Sequence, residues 1–145
     1  MPTLKFKKLR KGVDLPSYST SEAAGMDIKA ADGAGIALGE TRMIRTGLAV
    51  EIPFGWELQC RSRSGLASKG IVVANSPGTI DSDYRGELCV ILHNQAHLGV
   101  YEVHPGDRIA QLVLAEVPRM KIEEVEELSE TDRGEGGFGS TGING

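Results

Sequence analysis

Short apolar runs separated by turn residues recur every eight or so positions through the first half of the chain. Ile36-Ala37-Leu38, Met43-Ile44, Leu48 to Ile52 and Trp56 to Cys60 are the runs, and Gly39, Gly47 and Pro53-Phe54-Gly55 stand between them. Runs of this length and spacing predict short strands and an all-β sandwich, jelly roll or barrel. Leu4, Lys5, Phe6 and Lys7 alternate as a half-buried strand does, with lysines on the solvent face that discourage edge pairing. Ser17 to Glu22 is expected to be a polar loop. In Ala23 to Ala30, Gly25 allows close backbone approach. Asp27, between Met26 and Ile28, points away from their face if the segment is extended. Ile71 to Ala74, Val100 to Val103 and Arg108 to Ala115 predict further strands, with His104-Pro105-Gly106-Asp107 as a turn. The uninterrupted apolar run Leu88 to Leu92 predicts a buried strand.

Three segments break this rhythm. In Arg61 to Gly70, RSRSGLASKG, Ser64 is placed to cap a short helix that Gly70 ends. Free N–H groups at such a start, beside Arg61 or Arg63, suit a phosphate, although an ordinary capped turn has the same pattern. In Lys121 to Glu130, Ile122, Val125 and Leu128 recur at threes, which fits a helix or a last strand leading outward. From Arg133 onward the chain reads RGEGGFGSTGING, six glycines in thirteen residues. Such a tail loses much entropy on ordering and is expected to be mobile when free. Phe138 has no apolar neighbours there, which suits a lid that stacks on a planar ligand.

The chain has the length of one domain, 145 residues, 40% hydrophobic and 25% charged. No apolar run approaches membrane-spanning length and no apolar signal core opens the chain, so a cytosolic protein without membrane partner is expected. Cys60 and Cys89 then read as buried free thiols. The net charge of −4 argues against general affinity for nucleic acid, but allows a small anionic ligand where cations or a metal gather locally. Gln111 is a polar residue in an apolar strand and needs partners, from a ligand or from the core. His93 and His97 have a zinc-compatible spacing, yet fall in a polar turn without helical period, so a zinc site is not expected.

The polar chemistry concentrates in Asn75 to Glu87, NSPGTIDSDYRGE. The stretch opens on a turn signal, then sets Asp81 and Asp83 one residue apart, followed by Tyr84, Arg85 and Glu87. It reads as the mouth of a hairpin whose second arm is the run from Leu88. Extended backbone would put both acids on one face and Tyr84 on the other. A surface turn with acids bonded to their own backbone has the same sequence signature.

AAGMDIKA, RSGLASKG, NSPGTIDSDYRGE, PGDRIAQLVL and RGEGGFGSTG, in this order from residue 23 to residue 142, resemble the five motifs of the trimeric dUTP diphosphatases. The resemblance implies one domain over 1–145: a jelly-roll body with one short helix through residue 130 and a mobile lid over 131–145. It implies a homotrimer with shared active sites and Mg²⁺-dependent hydrolysis of dUTP to dUMP and pyrophosphate. That reaction supplies dUMP for dTTP synthesis and keeps uracil out of DNA. It implies that Asp81 activates the attacking water and that Tyr84 packs under the deoxyribose. Asn75, Gly78, Thr79, Ile80 and Cys89 would read uracil. Arg63, Ser64, Gly65 and Gln111 would hold phosphates, Arg133, Ser140 and Thr141 the γ-phosphate, and Phe138 would stack on the base. Asp27 would bond water around the magnesium.

Two positions depart from that pattern: Met26 where tyrosine is common, and Ser62 where proline is common. They bear on local packing and on the stiffness of the loop before Arg63. A dCTP deaminase of the same architecture, or a nucleotide-binding module without catalysis, are the other readings. The filled catalytic positions and the complete fifth motif favour hydrolysis.

Overall fold

The computed structural model describes residues 2–144. Strands β1 (Lys5–Lys8), β5 (Thr41–Glu51), β9 (Glu87–Asn94) and β7 (Ile71–Val73) form one sheet in the order β1-β5-β9-β7. Strands β2 (Ser17–Tyr18), β3 (Gly25–Lys29), β11 (Arg108–Glu116), β6 (Trp56–Arg61) and β8 (Gly78–Ile80) form the other in that order. A ribbon of β4 (Ala34–Ala37) and β10 (Val100–Val103) forms a third, two-stranded sheet, with β4 against β5 and β9, and α1 (Ser64–Ala67) is a single turn. Every pairing is antiparallel. Two antiparallel sheets with crossing connections make the expected all-β jelly roll.

Period-two alternation puts Ile28, Leu58 and Leu112 of one sheet against Ile44, Leu48, Val90 and Leu92 of the other. Each such side chain contributes roughly 1.5–3 kcal/mol on burial. An exposed pair such as Lys5–Glu51, at 2.9 Å, is screened by solvent and adds little, so the interior holds the sandwich. The one fully buried carboxamide, Asn94, is satisfied: its Nδ2 donates to the Ile36 and His97 carbonyls, and its Oδ1 accepts from the His97 N–H. It pins the end of β9 to β4.

Several local expectations are corrected. Ser17 and Tyr18 are not loop but pair with Asp27 and Met26. Gly47 does not separate two strands. It lies at a register shift inside the eleven-residue β5, at φ +70°, where a Cβ would stand 2.8 Å from Val13 Cγ1. The run from Leu88 to Leu92 is buried on one face only, since Cys89 and Ile91 are half-buried. Lys121 to Glu130 is neither helix nor strand. The strands end at Glu116, and Met120, Ile122 and Leu128 are almost fully exposed. A period of three with nothing to pack against has no force to impose helix.

Candidate active site

The β7 register with β9 covers Asn94 to Leu92, and the Ala74 N–H then donates to the Ile91 carbonyl. Beyond that point, among the described residues, no strand borders β9 on the side away from β5. In the opposite sheet, β8 pairs only with β6 and is an edge. These two open edges flank a cleft of about 500 Å³. So β8 and β9 are not arms of one hairpin, as their closeness in sequence suggested; they belong to different sheets, and the chain crosses between layers over Asp81–Gly86. An edge strand carries unused N–H and C=O groups at fixed positions, a rigid donor–acceptor frame for a planar polar ligand.

The cleft gathers Asn75, Gly78, Thr79, Ile80, Asp81, Tyr84 and Cys89. Gly78 leaves room for the Asn75 carboxamide: a Cβ there would stand 2.8 Å from Asn75 Nδ2, and the carboxamide would have to shift. The crossing segment is a turn, not extended chain, because the Tyr84 N–H donates to the Asp81 carbonyl at 3.1 Å. The turn brings Asp81 and Tyr84 to the same cleft, where an extended segment would have parted them. Asp81 is also shared with a neighbouring hollow of about 630 Å³ between Phe54, Trp56 and Arg119, so its carboxylate stands on the rim between two openings. Met43, Arg45 and Ile91 line the cleft as well and were missed in sequence. They reach it because β5 and β9 pair Met43 with Ile91 and Arg45 with Cys89, a register that no local pattern encodes.

Both thiols line this cleft and both are free. Cys60 is buried, and burial pushes its thiol up to about 11. Cys89 is half-buried rather than buried; burial, and then the Glu87 carboxylate, raise its pKa, with Arg45 opposing.

A second group forms where β3, β11 and the loop before α1 meet. Asp27 pairs in register with Gln111, and Gln111 with Arg61. Arg63 Nε lies 3.3 Å from Asp27 Oδ1, and its Nη1 donates to the Arg108 carbonyl at 3.1 Å. The Nε–H is not aligned on Oδ1, so that shielded oxygen has an ion-pair partner but no hydrogen bond among the described residues. Gln111 packs over Gly25, where a Cβ would stand 3.2 Å from the Gln111 Cβ and 3.3 Å from its Oε1.

Ser64 does not cap α1. Arg63 holds the N-cap position in extended backbone, without a side-chain bond, and Ser64 is the first helical residue. Ser64 and Gly65 at the start of the turn are both exposed, and nothing lies within 4 Å of where a Gly65 Cβ would stand. Gly70, at φ +87°, ends the turn as expected. The two departures from the family pattern are absorbed. Met26 is buried in the core. Ser62 accepts the Val73 N–H at 2.8 Å, and its own N–H donates to Ser76 Oγ at 3.1 Å, which anchors the loop without proline.

The tail is a third group. Arg133 Nε donates to the Gly136 carbonyl at 2.7 Å, and the Ser140 N–H to Gly137. Phe138 stands fully exposed at φ +49°, and Ser140 and Thr141 are exposed. Among the described residues, none beyond Arg119 lines the cleft or the hollow beside it. The first two groups adjoin through β6, where Cys60 pairs with Gly78 and Arg61 with Gln111, and the tail is the group that stands apart.

The dUTPase family model matches residues 11–142. The chain belongs to this family. It is 55% identical to a deoxyuridine 5'-triphosphate nucleotidohydrolase of Nautilia profundicola over 96% of this chain and 98% of that one. It is 53% identical to one of Chlamydia trachomatis over 94% of this chain and 97% of that one. Among solved dUTPases it superposes with a TM-score of 0.89 on a point mutant from Staphylococcus bacteriophage 80alpha with dUpNHpp, at 32% identity, covering 97% and 99% of the two chains. A dUTPase mutant from phage phi11, whose structure describes a structural Mg(II) ion, superposes with a TM-score of 0.81 at 28% identity, covering 88% and 99% of the two chains.

Proposed function

We propose that this protein hydrolyses dUTP to dUMP and pyrophosphate, with water attacking the α-phosphate. The observation that carries the reading is the cleft between two open strand edges, with a carboxylate on its rim, in a chain of the dUTPase family. Backbone groups of Gly78 to Ile80 and of Cys89, with the Asn75 carboxamide, pair with the edge of uracil. Their positions are fixed by the sheets, so a base with the opposite donor–acceptor order leaves buried groups unpaired. Tyr84 forms the wall under the deoxyribose. Asp81 accepts the proton of the attacking water and orients it in line with the leaving pyrophosphate.

Arg63, Ser64 and Gly65 offer a guanidinium, a hydroxyl and backbone N–H groups to the phosphates, and Gln111 a carboxamide. The unbonded Asp27 Oδ1 fits a bond from water around a magnesium ion. Bound there, the ion would neutralise phosphate charge, as an acidic protein needs when it takes a triphosphate. The tail closes over the nucleotide: Phe138 stacks on the base while Arg133, Ser140 and Thr141 hold the γ-phosphate, which excludes water from the reacting centre.

The place of the described tail residues away from the cleft supports a homotrimer in which neighbouring chains complete each site. Light scattering of an active trimer is the expected result, and an active monomer at assay concentration would contradict it. A cytosolic role on free nucleotide, supplying dUMP for dTTP synthesis and keeping uracil out of DNA, fits the two free thiols; among the described residues no helix is long and apolar enough to cross a membrane. The deciding experiment incubates the protein with dUTP and Mg²⁺. Release of pyrophosphate supports hydrolysis, whereas release of ammonia from dCTP would support deamination instead.

A further inference from the structure

The Tyr84 ring lies across the α-carbon of Gly86. A Cβ on Gly86 would stand 2.6 Å from Tyr84 Cζ and 2.9 Å from Cε1, and would meet the hydroxyl oxygen more closely still. Real Cβ atoms do not approach so near, and the atoms met belong to a rigid ring. The backbone of Gly86 is not left-handed, so an L-residue is otherwise permitted there. The three nearest atoms that such a Cβ would meet all belong to Tyr84.

The far end of the ring is held as well. Its hydroxyl donates to the Glu87 carbonyl at 2.9 Å. That carbonyl opens β9, whose start is fixed from β5 by two bonds. The Gly47 N–H donates to the Glu87 carboxylate at 2.9 Å, and the Thr46 hydroxyl to the Leu88 carbonyl at 2.6 Å. Tyr84 is nevertheless 46% exposed, so packing against the body does not by itself orient it.

We propose that Gly86 is a specificity-positioning residue: its bare α-carbon seats the Tyr84 ring so that the sugar wall of the cleft is in place before nucleotide binds. The inference rests on Tyr84 being that wall. A methyl at position 86 lifts the ring off its seat and breaks the bond to Glu87. The ring then no longer stands where a ribose 2′-hydroxyl would lie, and UTP gains relative to dUTP. Because the hydroxyl is spent on Glu87, it has no proton to offer the sugar, and exclusion is steric.

The test measures kcat/KM for dUTP and for UTP in Gly86→Ala, Tyr84→Gly and the double variant. Displacing a positioning wall by an ångström or so changes such a ratio by about tenfold or more. Each single variant is expected to lower the dUTP preference by that factor, mainly through KM. In the Tyr84→Gly background, Gly86→Ala is expected to change nothing further, an outcome that a merely structural role would not produce. If Tyr84→Gly lowers the preference and Gly86→Ala, folded, keeps the wild-type value, the seat is refuted while the wall stands. An unchanged preference in Tyr84→Gly refutes both. Should Gly86→Ala alone fail to fold, the double variant folds if the ring is what the methyl meets; a double variant that also fails to fold overturns the inference.

Discussion

Arg63 Nε stands 3.3 Å from Asp27 Oδ1, yet that oxygen, shielded from solvent, has no hydrogen bond among the described residues. A carboxylate oxygen removed from water and left with only a poorly aligned cation is under-satisfied, which is why we propose that water around a magnesium ion bonds it. Register pairing with Gln111 fixes Asp27 next to the other proposed phosphate contact.

Asp27→Asn removes the charge and one strong acceptor without changing shape. The Mg²⁺ concentration needed for half-maximal turnover should rise by about tenfold, the scale for partners that act through a metal's water. Turnover titrated with Mg²⁺ at saturating dUTP checks this. An unchanged titration midpoint would detach Asp27 from the metal.

Asp81→Asn should leave the nucleotide cleft intact. The turn that presents residue 81 uses its main-chain carbonyl, which bonds the Tyr84 N–H, and asparagine keeps that carbonyl. We expect unaltered dUMP affinity and a loss in kcat of roughly 10²-fold or more, the usual scale for a positioned general base. Calorimetric binding and single-turnover rates measure the two effects separately, and near-wild-type turnover removes Asp81 from the mechanism.

A chain ending at Asp132 discards no residue of the core cluster. Its melting temperature should match that of the full chain, while kcat falls on the order of 10²-fold, because the phosphates lose a clamp and the site stays open to water. Phe138→Trp, set against the single native Trp56, should report closure by fluorescence. The Mg²⁺ complex of a non-hydrolysable dUTP analogue should give a larger change than dUMP. Full activity in the truncated protein would reduce the tail to a tail.

Burial raises the Cys60 thiol from an ordinary value of 9.0 to about 11, and its neutral form is the one the fold accommodates. A folded-state pKa above the unfolded one means that the contribution is complete below the unfolded value. It is lost as pH rises toward the folded one. Stability should therefore decline between about pH 9 and 11. Thermal melts of Cys60→Ala, which costs some packing at every pH, should lose part of that slope. Parallel pH profiles for the two proteins would assign the decline elsewhere.

What the sequence by itself determined is what depends on local order. Alternation and turn residues marked most strands, since a strand's two faces and its breakers are written in adjacent positions. Glycine at the end of α1 and the turn at His104–Asp107 were legible for the same reason. Five motifs in order pointed to the chemistry before any geometry was known.

Only the tertiary structure decided which segments meet. Asn75 to Glu87 read as one hairpin because its parts are close in sequence, but β8 and β9 pair with β6 and β5 in opposite sheets. Their separation opens the cleft. Register across β5 and β9 brought in Met43 and Arg45, which carry no local mark. Gly86 carries no local mark in the sequence, and it is the ring two residues away, folded back over its α-carbon, that singles it out. Long-range pairing and side-chain contact are properties of chain segments taken together, so residues at such junctions are ones a linear pattern leaves undefined.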